Sequence, residues 1–252
     1  MIIKEVAETA TDYIKDLSLI DYCLCLRGGY VIVEGVRGRA LGFAHIPYED
    51  IHDLGEVKKP RLEEMPEFVV DENPLNRVIG VAMVNAVSQY HMAEVPPYID
   101  IVQYSREDPV CVVGNMYPLV ERFRKDGRVV YVFEKSRELR SGAYSDVEID
   151  ILLPQCRTVV ITGMTLLNFT IDKILHLSKG FNILTGPTAG VHPDFLPNRV
   201  KGRQLHAIAS IRLDIEKTVT HLKLGGYISL AKHRDLGRPY TFLLQKSPHT
   251  GP

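Results

Sequence analysis

The stretch 109-PVCVVGNMYPLVERFRKDGRVVYVFE-134 decides how the second half of this chain folds. An apolar run over 110–113 is closed by Gly114 and Asn115. Pro118 sits early in the amphipathic segment that follows, where a first helical turn tolerates it, and Gly127 ends that segment. A second apolar run then stops at Glu134. Strand, helix and strand in succession form a crossover unit, which joins parallel strands where a tight hairpin cannot.

The same grammar continues downstream. "RTVVI" (157–161), "FNIL" (181–184) and "LHAIA" (205–209) read as further strands. "LLNFTIDKILHLSKG" (166–180) and "RLDIEKTVTHLKLGG" (212–226) read as helices that stop at glycine, and "SDVEIDILL" (145–153) opens with a Ser145/Glu148 capping box. Apolar strands alternating with amphipathic helices predict a parallel sheet covered on both faces, a Rossmann-like domain over 101–252.

Upstream the pattern is different. Residues 3–17 place Ile3, Val6, Ala7, Tyr13, Ile14 and Leu17 on one helical face. Residues 21–46 are short apolar runs broken by glycines, the signature of antiparallel strands and tight turns. Pro47, Pro60, Pro66 and dense charge make 47–72 a long connection. A helix over 73–91 starts from Asn73 as cap and Pro74, with apolar residues on two faces, so it packs on both sides. Pro96-Pro97 breaks the chain, and 98–108 reads as a linker. Residues 1–100 form an α+β domain, and the fold class of the whole is α/β.

Composition excludes several functions. The 252 residues carry 45% hydrophobic and 24% charged residues with a net charge of −1, an ordinary soluble balance without the basic excess of a nucleic-acid binder. No segment reaches membrane-spanning length, and the N-terminus lacks a signal-peptide core, so a cytoplasmic location is expected. The four cysteines, at 23, 25, 111 and 156, form no C-x-x-C pair and read as free thiols of a reducing compartment. Cys23 and Cys25 point to one side of a strand, which opens a two-thiolate metal grip as the rival reading, although zinc sites use other spacings.

Two copies of Thr-Gly-x-Thr, starting at Thr162 and Thr185, close neighbouring strands. In a parallel sheet those ends share one edge, where ligands bind. Thr162, Gly163, Thr165, Thr185, Gly186, Pro187 and Thr188 offer hydroxyls, N–H groups and close backbone approach there, and the first copy leads into a helix N-terminus. The plainer reading is turn and capping chemistry. Gly114 and Asn115 end the first strand. Glu134 stands 20 residues past Gly114, the offset of a ribose-binding acid, but the further glycines of a dinucleotide fingerprint are missing. Asn85 interrupts the doubly packed helix and needs partners, and Asn168 heads a helix as a cap. His192 with Asp194 follows the second corner, and His45 ends a strand; both histidines are metal-ligand candidates.

"GVAMVNAVSQ", "VVGNMYPLVERFR", "VVYVFE", "VVITGMTLLNFTIDKIL" and "ILTGPTAGVHPDFL", in that order, resemble the "putative heavy-metal chelation" family, over nearly the whole chain and most strongly over 109–196. The resemblance implies an enolase-N-terminal-like domain joined to a Rossmann-like domain. It also implies a binding cleft between the two that includes Asn85, Gly114, Glu134, Thr162, Gly163, Thr165, Asn168, Gly186, Pro187 and Thr188. Two departures stand out: Ala189-Gly190-Val191-His192 after the second corner, and Phe169 where glycine is common.

The expectation is therefore a two-domain protein holding a small anionic or oxygen-rich ligand, or a divalent or heavy-metal ion or its complex, between its domains. An enzyme using a nucleoside cofactor such as S-adenosylmethionine at the same edge is the alternative, with Glu134 as its discriminating residue. The partner is a small molecule rather than nucleic acid or membrane, and a homodimer is the assembly carried forward.

Overall fold

The computed structural model describes residues 1–52, 55–105 and 107–244. Residues 53–54 of the expected long connection, 106 of the expected linker and 245–252 at the end of the expected second domain lie outside them. Helix α1 (Ile2–Thr11) precedes the antiparallel meander β1 (Ser18–Leu24), β2 (Gly28–Gly35) and β3 (Gly38–His45). The short α2 (Met65–Phe68) leads to α3 (Pro74–His91), which opens on Pro74 with the Asn73 side chain accepting the Leu75 N–H.

Every residue of α3 from Val78 to Gln89 is buried, because the helix is covered on all sides. One side seats directly on β3. A side chain at Gly42 would stand 2.0 Å from the Ala82 carbonyl oxygen and 2.1 Å from the Ala86 nitrogen, so only glycine permits this approach.

The expected linker is partly helical. Asp100 caps α4 (Ile101–Tyr104), and Ile101 and Val102 are buried. Then come β4 (Val110–Val113), α5 (Tyr117–Lys125), β5 (Val130–Phe133), α6 (Ile149–Leu152) and β6 (Thr158–Thr162). After them follow α7 (Met164–Leu167), α8 (Thr170–Leu177), β7 (Phe181–Thr185), β8 (Ala207–Leu213), α9 (Ile215–Lys223) and β9 (Gly237–Leu243).

The second sheet has the order β5-β4-β6-β7-β8-β9. Its first five strands are parallel, as expected, while β9 runs antiparallel along the edge beside β8. Strand order reverses between β4 and β6.

Alternate residues of the central strands point to opposite faces, and both faces are buried. Val110, Val112, Val160 and Ile183 pack with Phe123 of α5. Cys111, Val113, Val159, Ile161 and Leu184 join a core that runs without a break into α3, α1 and the small sheet. The other face of the small sheet, through Tyr30, Ile32, Leu41 and Phe43, packs with Ile211, Leu213 and Leu222.

Two of the four cysteines are not free, which corrects the sequence reading. Cys111 and Cys156 form a disulfide. Parallel pairing sets Cys111 opposite Val159, and Cys156 enters β6 just before that point, so the two Cα atoms stand 5.8 Å apart, within bridging range. The cysteines lie 45 residues apart along the chain, and only the sheet brings them together. No helix among the described residues is long and apolar enough to cross a membrane.

Candidate functional site

The Thr-Gly corners meet at the C-terminal ends of β4, β6 and β7. The Gly163 N–H donates to the Thr185 carbonyl at 2.9 Å. A side chain at Gly163 would stand 2.6 Å from the Ala189 nitrogen, so the first corner rests on the backbone of the second. Gly114, across the switch in strand order, faces Thr162, whose Cγ2 lies 2.6 Å from where a Gly114 Cβ would be. Gly114, Asn115, Glu134, Thr162, Asn168 and Gly186 are half-buried there, whereas Gly163, Thr165, Thr185, Pro187 and Thr188 are buried.

Most of the polar groups at this rim have partners within the fold. The Thr165 hydroxyl donates to the Thr162 carbonyl (2.7 Å) and the Thr185 hydroxyl to the Ala209 carbonyl (3.1 Å). The Thr188 oxygen accepts the His45 backbone N–H (3.1 Å) and lies 2.9 Å from His45 Nδ1. His45 Nε2 lies 2.9 Å from the Ile228 carbonyl, which can only accept. Nε2 therefore carries the proton, and Nδ1 accepts from the Thr188 hydroxyl. Burial holds the His45 pKa down to about 4, against the upward pull of that carbonyl. With both ring nitrogens engaged inside the protein, His45 is a packing residue rather than a metal ligand.

Asn85 reaches from α3 and donates to the Phe43 carbonyl and the Thr188 carbonyl, each at 2.9 Å. Its amide staples β3 to the second corner. Asn168 accepts the Thr170 N–H and hydroxyl, holding the start of α8 behind Phe169, which adopts a left-handed backbone (φ 63°). The Glu134 carboxylate accepts the Asn115 N–H (2.7 Å) and the Ser136 N–H (2.9 Å), joining the β4 and β5 ends. Each of its oxygens keeps a further lone pair. Thr162 is the least engaged hydroxyl of the corners, its oxygen accepting only a long bond from the Met164 N–H (3.4 Å).

From the second corner the chain runs along α3 to its C-terminal end, and there a different arrangement appears. His91, the last residue of α3, meets His192 and Asp194, with one ligand-capable atom of each lying within 4.8 Å of the others. His91 Nε2 is 3.1 Å from Asp194 Oδ2, and His192 Nδ1 is 3.6 Å from the same oxygen. The two imidazoles meet edge to face at 4.5 Å, backed by Phe195.

The electrostatics prepare these groups as donors. Burial, and then the neighbouring His91, hold the His192 pKa down to about 4, so His192 is neutral near pH 7. The hydrogen bond from His91 lowers the Asp194 carboxyl below its usual range, helped by His192 and by Lys201, whose Nζ is 3.4 Å from Oδ1. His192 Nδ1 accepts the Asp194 N–H at 3.2 Å, so an ion bound through Nδ1 would replace that bond. Sequence reading found His192 and Asp194 and missed His91, whose only local trait is its place at the end of a helix.

A family model described as "Putative heavy-metal chelation" matches residues 98–234, and a second model with the same description matches 7–88. The chain belongs to this family. Its relatives include an uncharacterised protein of Methanocaldococcus jannaschii, 34% identical over 249 residues that cover 92% of this chain and 95% of that protein. A crystal structure from Pyrococcus horikoshii, of a protein with unknown function from the same family, superposes with a TM-score of 0.84 at 31% identity, covering 96% of this chain and 100% of that one. Another, from Desulfitobacterium hafniense, has a TM-score of 0.69 at 18% identity, covering 96% and 98%, and carries the fold alone. Two imidazoles and a carboxylate form a donor set suited to zinc and similar divalent transition metals, in keeping with the family's description.

Proposed function

We propose that this member of the heavy-metal chelation family binds a divalent transition-metal ion through His91, His192 and Asp194. The observation that carries the reading is the convergence of three ligand-capable atoms within 4.8 Å, contributed by chain positions about a hundred residues apart. Three protein ligands leave a coordination position open, so the ion can hold water or an oxygen-rich small molecule. Titration calorimetry with Zn²⁺ and Co²⁺ tests this. One ion should bind at this corner, and His91→Ala or His192→Ala should weaken that binding by at least about 100-fold, since even outer-sphere partners of metal ligands contribute about 10- to 100-fold. Variants that bind as tightly as the natural chain overturn the assignment.

A second reading places a small anionic or oxygen-rich ligand at the strand-end rim. It is favoured by the half-buried Gly114, Asn115, Thr162 and Gly186 and by the acceptor positions left on Glu134, all beside the switch in strand order. A nucleoside cofactor belongs to this reading too, and Glu134→Gln would abolish adenosine binding if the acid holds a ribose.

A further inference from the structure

Cys23, at the end of β1, and Cys25, in the turn that follows, are free and half-buried, and their Sγ atoms stand 3.3 Å apart. The turn is held by the Cys25 N–H donating to the Gly28 carbonyl at 2.9 Å. Both cysteines line an open cleft of about 460 Å³, whose other walls come from Leu26 and from Leu222, Lys223 and Leu224 at the end of α9. The positive charge of Lys223 acts on the Cys25 sulfur. These residues share none with the His91 corner or the strand-end rim.

We propose that Cys23 and Cys25 form a second metal site, a dithiolate that takes a soft, thiophilic d¹⁰ cation such as Cu(I), Zn(II) or Cd(II). The inference does not rest on the His91–His192–Asp194 reading. Metal–sulfur bonds of about 2.3 Å at a tetrahedral centre would set the sulfurs about 3.8 Å apart, a small opening from their present contact.

Binding a divalent ion breaks two S–H bonds, forms two metal–sulfur bonds and releases two protons to solvent, with no change of oxidation state. Burial, then the hydrogen bond with Cys23, pushes the Cys25 thiol up to about 12. A thiol buried in this way is a poor nucleophile, and only a cation with high thiolate affinity displaces its proton. Lys223 offsets the negative charge that remains when the ion is monovalent. The apolar wall of Leu26, Leu222 and Leu224 favours a polarisable ion over a strongly hydrated one.

The test is a Cd²⁺ titration of the full chain carrying His91→Ala and His192→Ala, so that the other proposed site is silent. Because Cys111 and Cys156 are joined in a disulfide, any thiolate signal reports this pair. The expected result is a thiolate-to-cadmium charge-transfer band in the ultraviolet that saturates at one ion per chain, with two protons released per ion in weakly buffered solution. Cys23→Ser and Cys25→Ser should each remove the band. If a serine variant does not fold, iodoacetamide labelling of both thiols in the unaltered cysteine background replaces it, and Cd²⁺ should slow that labelling several-fold. No band, a band that survives Cys23→Ser, or labelling indifferent to Cd²⁺ would overturn the proposal. Any of these would leave the histidine site standing.

Discussion

The strand-end rim and the corner at the end of α3 are both rich in polar side chains, yet they direct those groups differently. At the rim, Asn85, Thr165, Thr185 and Thr188 are buried and turned toward backbone carbonyls or His45. At the corner, His91, His192 and Asp194 lean on one another, with Asp194 47% exposed and His192 14%. A buried polar group must find a partner inside the protein or pay its desolvation cost, so a polar motif that folds into the interior serves the fold first. Groups at a half-open corner bond mainly to one another, and a ligand can replace those bonds.

Acid should separate the regions most. Both His45 and His192 are held neutral with a pKa of about 4, below the value near 6.5 expected in the unfolded chain. Between those values the unfolded state binds more protons, so stability is complete above about pH 6.5 and is lost as pH falls toward 4. For the sealed His45 the loss approaches roughly 3 kcal/mol. Urea unfolding across that window should show it, and His45→Gln should flatten the slope. Saturating Zn²⁺ should raise stability near neutrality without changing the His45 contribution. A profile flat in acid would break the contrast between a sealed and an accessible histidine.

The next effect is on metal binding. Asp194→Asn removes a charged donor while keeping its shape, and should weaken Zn²⁺ by about 100-fold, near 2.7 kcal/mol, measured by competition with a chelating dye. Asn85→Ala should then cost about 2 kcal/mol of stability in chemical denaturation, because two buried carbonyls lose their donor. It should leave Zn²⁺ affinity unchanged. If it alters affinity instead, the two regions are coupled through the segment that links them along α3. The smallest effect is expected from Thr162→Val, under about 0.5 kcal/mol, since its hydroxyl makes only a long bond and is half-buried. If that variant nonetheless abolished binding of an oxygen-rich ligand, the rim reading would gain over the corner.

Much of the fold was legible before any coordinates. The alternation of β4, α5, β5, β6, α8 and β7 follows from apolar runs punctuated by glycine, and α3 announced its cap and its two buried faces. Other elements left little local signal. Strand β9 carries Pro239 and alternates poorly, and it exists because β8 offers it an edge. Helix α4 is a four-residue turn stabilised by packing. The disulfide needed the β4–β6 register, and the rim hydroxyls proved to be engaged because their acceptors, such as Ala209 and His45, lie on distant strands.

What the sequence determined alone was periodicity and punctuation: where most strands and helices lie, that the core of the second sheet is parallel, and that its Thr-Gly corners share an edge. Those are local matters of backbone preference and side-chain alternation. Which polar groups remain available, and that His91 joins His192 and Asp194, were decided only by tertiary packing. The physical reason is that hydrogen-bond satisfaction and metal-ligand convergence depend on distance through space, and a linear chain does not state that distance.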